Sequence, residues 1–321
     1  MKNKRGFILN LILILLILLI ILIGGYFIYQ NIPGTPESFK AVFNKENQTL
    51  EVSNLSSDIK QFYPNMKFNH NQISYSIDVN CPDKKKNNVI EAFKELSDKV
   101  IQISFYENNQ NPDIEVSCSE TEKHSVKEDY FIAGEGGAKE IIQTERYGVI
   151  TQGVILFNQN PKNTIECDWP IVELHELLHV FGFGHSENKD SLMYPYLENC
   201  NQKLDQSILN DLNNLYSQEN LPDLYFESVS AIKKGRYLDF NVSVKNSGTI
   251  LAKNVSLSVI EDKKIIKQFE LNDISFGAGT NLAVSNINLD SRSSNEISIV
   301  IDEKNNIKEI DEDNNIAELR V

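Results

Sequence analysis

The sequence predicts an α+β domain followed by an all-β, immunoglobulin-like sandwich, both behind a single N-terminal transmembrane helix. Three observations predict it. An unbroken apolar run opens the chain, segments of helical and strand period alternate through its middle, and from Pro222 onward only strand-period segments remain.

Residues 7 to 23 read FILNLILILLILLIILI, followed by GGYFIYQ. A helix of about 20 such residues crosses a hydrocarbon core roughly 30 Å thick. Lys2, Lys4 and Arg5 precede it, so the positive-inside rule keeps a short tail, 1–6, in the cytoplasm and places everything after the anchor, 7–30, outside. A cleaved signal peptide is the competing reading. No Ala-x-Ala-like site follows the run and no cysteine stands there to accept lipid, which favours the anchor. Residues 31–64 are polar with short apolar alternations and read as a linker or stalk.

In the middle segment, 65–218, ISYSIDV alternates as a strand, and Val89, Ile90, Phe93, Leu96 and Val100 recur at helical spacing over about 83 to 99. Two strand-like runs follow, IQISFYE and DIEVSCS, then a glycine-bearing loop, AGEGGAK, then another apolar strand, VITQGVILFN. From Pro170, PIVELHELLHVFGFG sets Ile171, Leu174, Leu178 and Phe181 on one helical stripe, with proline at a natural first-turn position and Gly182 where a helix would stop. Leu204, Ile208, Leu212 and Leu215 mark a last helix over about 204 to 217. The predicted domain is thus a mixed sheet with an active-site helix and a C-terminal helix. Beyond a linker near Glu219 to Pro222, residues 222–321 carry alternating runs such as Leu238, Phe240, Val242 and Val244, separated by turn signals, and about seven short strands fit a sandwich.

A net charge of −14 excludes nucleic-acid binding, which needs a basic footprint, and suits a surface ectodomain. The four cysteines form no Cys-x-x-Cys pair, so neither a zinc ribbon nor a redox motif is spelled out. Of the three pairings that four cysteines allow, Cys81 with Cys118 and Cys167 with Cys200 is the one expected, because the second pair brackets the motif below and the first lies wholly before it. Free buried thiols are the alternative.

Three of the five histidines fall in one window, HELLHVFGFGH. On a helix, His175 and His179 project from the same face one turn apart, and Glu176 sits beside them without being a ligand. Glycine at 182 permits the turn that brings His185 back as a third imidazole. Three neutral nitrogens leave a fourth position for water, the arrangement of a catalytic rather than a structural zinc site. Glu176 is then placed to take the proton of the attacking water and return it to the leaving amine.

With Ser186 and the run Ser191-Leu192-Met193-Tyr194-Pro195, this window resembles the matrixin-type branch of the metzincin zinc metallopeptidases, over roughly residues 65 to 218. The resemblance implies a Met-turn at Met193 beneath the histidines. It also implies that the segment from Pro195, with Tyr196, walls the pocket for the substrate residue after the scissile bond, and that VITQGVILFN is the edge strand offered to an extended polypeptide. The chain departs from the family in several ways. The cysteine switch is not found, no clear prodomain precedes the catalytic segment, and His70 and His124 are too few to rebuild a second, structural zinc site. Proline at 195 leaves no tyrosine ligand, while the AGEGGAK loop is a candidate for a carbonyl-lined structural Ca2+ site.

The C-terminal half resembles the cell-adhesion-related (CARDB) domains of surface proteins, through Pro222-Asp223-Leu224, VSVKNSGTILAKNVSLSV and the ending VIDEKNNIKEIDEDNNIAELRV. A spacer, docking or substrate-positioning module is expected, with contacts to surface proteins. Its acidic run, Asp302 to Asp313, reads as a solvated turn. The expectation for the whole is a single-pass, extracytoplasmic endopeptidase with one catalytic Zn2+. The alternative is a surface adhesion protein with a latent or non-catalytic zinc-binding domain, and the intact set with Glu176 favours the enzyme.

Overall fold

The computed structural model describes residues 2–43, 59–125, 131–159, 161, 167–197, 199–294 and 296–320. Helix α1 (Lys2–Asn31) is long and apolar enough, from Phe7 on, to cross a membrane by length and composition. None of that apolar window is buried within the protein. The helix ends on the C-terminal domain. Arg292 Nη1 donates to the carbonyls of Tyr29 (2.7 Å) and Ile32 (2.8 Å), and its guanidinium lies 4.6 Å from the centre of the Tyr29 ring. The Tyr237 hydroxyl donates to the Asn31 carbonyl (3.1 Å). A cation on the last carbonyls satisfies groups that a helix C-terminus leaves without partners.

The stretch read as linker is not all linker. Residues Pro36–Phe43 form β1, which pairs antiparallel over its first half with β8 (Leu224–Lys234) and over its second half with β14 (Ile316–Arg320). One sheet is β1, β8, β9 (Tyr237–Asn246) and β12 (Gly279–Asn288). The other is β1, β14, β13 (Ile297–Ile301), β10 (Ala252–Glu261) and β11 (Lys264–Ile274). Phe39 is buried in the core between them with Leu224, Phe240, Ile299 and Leu319. The middle domain is therefore inserted between the first strand of the C-terminal domain and the rest of it. Residues 44–58, the remainder of that stretch up to Ser57-Asp58, lie outside the described residues.

The acidic run also differs from expectation. Asp302 and Glu309 are buried, because each accepts backbone N–H groups: Asp302 from Ile307 (2.6 Å), Glu309 from Leu224 (2.5 Å). Glu309 takes a second bond from the Asn315 amide (2.9 Å). Carboxylates buried in this way tie loop backbone rather than face water.

In the middle domain β2 (Lys67–Phe68), β3 (Gln72–Ile77), β4 (Ser104–Glu107), β5 (Ile114–Cys118) and β7 (Gly148–Phe157) run parallel, in the order β2-β7-β5-β3-β4. Strand β6 (Gly134–Gln143), off this path, pairs antiparallel with β7 from Gly148 to Phe157, while β2 and β5 pair with successive stretches of β7, at Val149–Ile150 and Gly153–Phe157. This corrects two expectations. VITQGVILFN is β7, an interior strand, and the strand at the edge beside it, among the described residues, is β6, built from the segment read as a glycine-bearing loop. Three glycines and three charged residues in ten positions depress strand propensity and hid it.

Helix α2 (Asp83–Lys99) buries Val89, Ala92, Phe93 and Leu96, while Ile90 is exposed. Tyr75 stacks on Phe93 at 4.3 Å, Phe93 meets Phe105 at 4.7 Å, and Phe105 meets Phe181 edge-on at 6.4 Å, which joins α2 and the sheet to α3 (Ile171–Val180). Helix α4 (Gln206–Ser217) closes the core with Ile208, Leu212, Leu215 and Tyr216. Cys81 is bonded to Cys118 and Cys167 to Cys200. The second bridge joins the approach to α3 with the loop beyond Met193, each worth about 2–4 kcal/mol through the unfolded chain.

Candidate active site

Helix α3 stops at Gly182, whose φ of +86° suits glycine alone, and an added Cβ would overlap the Met66 sulfur. Gln61 pins the turn: its amide donates to the carbonyls of Phe181 (2.8 Å) and Met66 (2.9 Å). Phe62 N–H donates to the Gly182 carbonyl (2.9 Å). The chain then folds back, and His185 arrives opposite the helix.

The three rings meet at their Nε2 atoms. His179 Nε2 lies 3.1 Å from that of His175 and 3.2 Å from that of His185. His175 Nδ1 donates to the Leu192 carbonyl (2.7 Å) and His179 Nδ1 to the Phe183 carbonyl (2.7 Å). A carbonyl accepts only from N–H, so these bonds fix the proton on Nδ1 and leave a bare lone pair on each Nε2. Two facing lone pairs at this distance repel unless a cation lies between them. Zinc–nitrogen bonds of 2.0–2.1 Å at a tetrahedral angle give N···N separations of about 3.3 Å, close to those found. The donor set therefore fits a zinc ion. Burial, ahead of all other causes, disfavours charge on all three imidazoles and takes His175 down to about 3.

Glu176 is 6 % exposed. Burial pushes its carboxyl up to about 7, the N–H of Gly136 in β6 holds it down, and Glu135 and Glu173 push it further up. The closeness of β6 depends on its glycines. A Cβ at Gly134 would stand 2.7 Å from Glu176 Cγ, and one at Gly136 would overlap the Glu176 carbonyl oxygen. Gly136→Ala is accordingly expected to lift β6 off the helix and lower peptide cleavage at least about tenfold with zinc content intact, measured by metal analysis and steady-state rates.

Two family models match the chain, Matrixin over residues 67–217 and CARDB over residues 221–319. The chain carries a matrixin domain and a CARDB domain. Two solved structures of the CARDB domain of one Pyrococcus furiosus protein are similar, each 21 % identical with a TM-score of 0.26. The crystal structure, described as a complex with di-metal ions, matches over 32 % of this chain and 87 % of its own; the solution structure matches over 32 % and 94 %. No curated protein matches the chain.

Within the matrixin domain, Met193 is wholly buried, and its carbonyl accepts from Ser186 N–H (2.8 Å) just after His185. Its neighbour Leu192 is the residue that holds His175. A cavity of about 570 Å³ opens beside the first turn of α3, lined by Val172, Glu173, Phe157, Trp169 and Leu197. Leu197, rather than Pro195 or Tyr196, supplies its wall beyond Met193. The Tyr196 ring packs against Tyr194 (5.6 Å) and its carbonyl accepts from Gln202 (2.9 Å). Glu173, which the motif alone does not single out, is buried and paired with Lys85 (2.6 Å). His70 bonds Asp113 (3.1 Å) and His124 faces Glu122 (3.7 Å); neither joins the cluster.

Proposed function

We propose that this chain is a membrane-anchored, extracytoplasmic zinc endopeptidase in which His175, His179 and His185 hold the metal and Glu176 is the general base. The observation that carries the reading is the convergence of three imidazole Nε2 atoms, two of them left with bare lone pairs by their Nδ1 hydrogen bonds, beside a buried glutamate. A bound zinc ion supplies Lewis acidity to water and to the scissile carbonyl. Glu176 accepts the proton as water attacks, then delivers it to the leaving amine. Its raised affinity for a proton suits both halves of that task. Met193 closes the floor under the histidines. The free edge of β6 receives the substrate as an extended strand, and the cavity at Val172 and Leu197 takes the side chain beyond the cleaved bond.

The anchor reading rests on the apolar surface of α1, on the basic residues before it and on the Arg292 cap at its outer end. It places the CARDB domain next to the membrane and the cleft beyond it. An adhesion protein with a silent peptidase-like domain has no need of a buried base, so the intact Glu176 favours the enzyme.

The test uses the detergent-solubilised full chain. About one zinc per chain and chelator-sensitive cleavage of an unfolded protein are expected, and His179→Ala should lose both, since two nitrogens cannot complete a four-coordinate site. Stoichiometric zinc without cleavage of any unfolded protein would leave the adhesion reading standing instead.

A further inference from the structure

Strand β6 is held at both ends. Its start lies on Glu176 through Gly134 and Gly136. Its far end runs into the turn 144–147, and that turn is built into the CARDB domain. Thr144 Oγ1 donates to the Ser247 carbonyl (2.8 Å) while accepting the N–H groups of Arg146 (3.2 Å) and Tyr147 (2.9 Å). The Arg146 side chain is 5 % exposed and reaches two acids of the CARDB domain, Asp223 at 2.5 Å and Asp311 at 3.4 Å. Asp223 is fully buried and also accepts from the Ser247 hydroxyl and the Asn314 amide. On the matrixin side, Asn65 donates to the Arg146 carbonyl (2.9 Å). The CARDB turn at Gly277 presses on β6 itself, where a Cβ would fall 2.6 Å from Ile142 Cγ2.

Hairpin tips ordinarily lie in water, and arginine is rarely buried unless paired. Taking a guanidinium and two carboxylates out of water is costly, and the forked geometry with added hydrogen bonds offsets that cost. Such a node contributes less to net stability than to holding one geometry. The geometry held here is that of the edge strand over Glu176.

We propose that Arg146 is a positioning residue for substrate binding: through Asp223 and Asp311 the CARDB domain fixes the placement of β6, the strand on which an extended polypeptide pairs. The substrate part rests on the peptidase reading; the brace does not. The CARDB domain is then part of the substrate-binding apparatus of the cleft, acting from behind it.

The experiment compares the full chain with Arg146→Met, and with Arg146→Lys, which keeps the charge but lacks the fork that spans two acids and guards against a variant that fails to fold. In Arg146→Met, amide hydrogen exchange across 138–147 is expected to quicken about tenfold or more, with exchange across α3 and zinc content unchanged. In a peptide series lengthened residue by residue on each side of the cleaved bond, KM should rise about tenfold for the longest peptides only, with kcat within about twofold. Arg146→Lys should fall between the two chains in both readouts. Unchanged exchange in β6, or equal loss of protection in β6 and α3 with loss of zinc, would overturn the proposal. So would a KM change independent of peptide length. If the wild type cleaves nothing, the peptidase reading fails while the exchange measurement still decides the brace.

Discussion

Glu176→Gln is expected to end cleavage while leaving zinc in place. Proton transfer by a positioned base is worth about 10²–10⁴ in rate, and among the described residues no carboxylate stands within the cluster of three histidines to take over from Glu176, so the loss should reach the upper part of that range. Glutamine keeps the volume and can still accept from Gly136 N–H, so β6 and the helix have no cause to move. The ligand nitrogens are held by the carbonyls of Leu192 and Phe183, which the substitution does not touch. Steady-state rates and metal content on the same preparation check this. Loss of zinc, or a rate within about tenfold of wild type, would remove Glu176 from the role of base.

Deleting β1 is expected to be as damaging to the fold as losing Glu176 is to the chemistry. A chain starting at Gly34 should melt cooperatively, whereas one starting after Phe43 should lose the CARDB domain as a folded unit. Strand β1 pairs on both sides, so its absence strips the ladder from β8 and β14 together and opens two edges. Phe39 leaves the core as well, about 1.5–3 kcal/mol of burial by itself against a total margin of roughly 5–15 kcal/mol. Thermal melts by circular dichroism and limited proteolysis separate the two chains. Identical melting would show that β1 is an accessory strand.

The parts of this protein that were legible in its sequence are those whose causes are local. The helix α3, its stop at Gly182 and the meeting of His175, His179 and His185 all follow from spacing within eleven residues. So does α2, whose buried face is written at helical period. What was hidden depends on partners far along the chain. The alternation in Pro36–Phe43 is short, and nothing nearby says that its neighbours are Ala231 and Leu319. Strand β6 looks like a loop because Gly134 and Gly136 answer to the side chain and backbone of Glu176 in α3, a contact invisible to strand propensity. The acidic run after Asp302 looks solvated because the backbone and amide groups that bury its carboxylates are supplied by the fold. Arg146 gives no local sign of Asp223 and Asp311.

The threading of β1 also sets an order of events during synthesis. The ribosome makes β1 before the whole matrixin domain and makes its two partners, β8 and β14, only afterwards. The matrixin domain, whose hydrophobic core is drawn from residues 59–216, can therefore fold while β1 still waits as an unpaired strand. Closing the CARDB domain then requires a contact between residues as distant as Lys40 and Arg320, a slow step for any chain and the last one here. Only at that step does Asp223 gain its full setting beside Arg146. A nascent chain that has finished the histidine cluster thus still lacks a braced cleft, and the peptidase would become competent only once synthesis has passed the strands that enclose its own beginning.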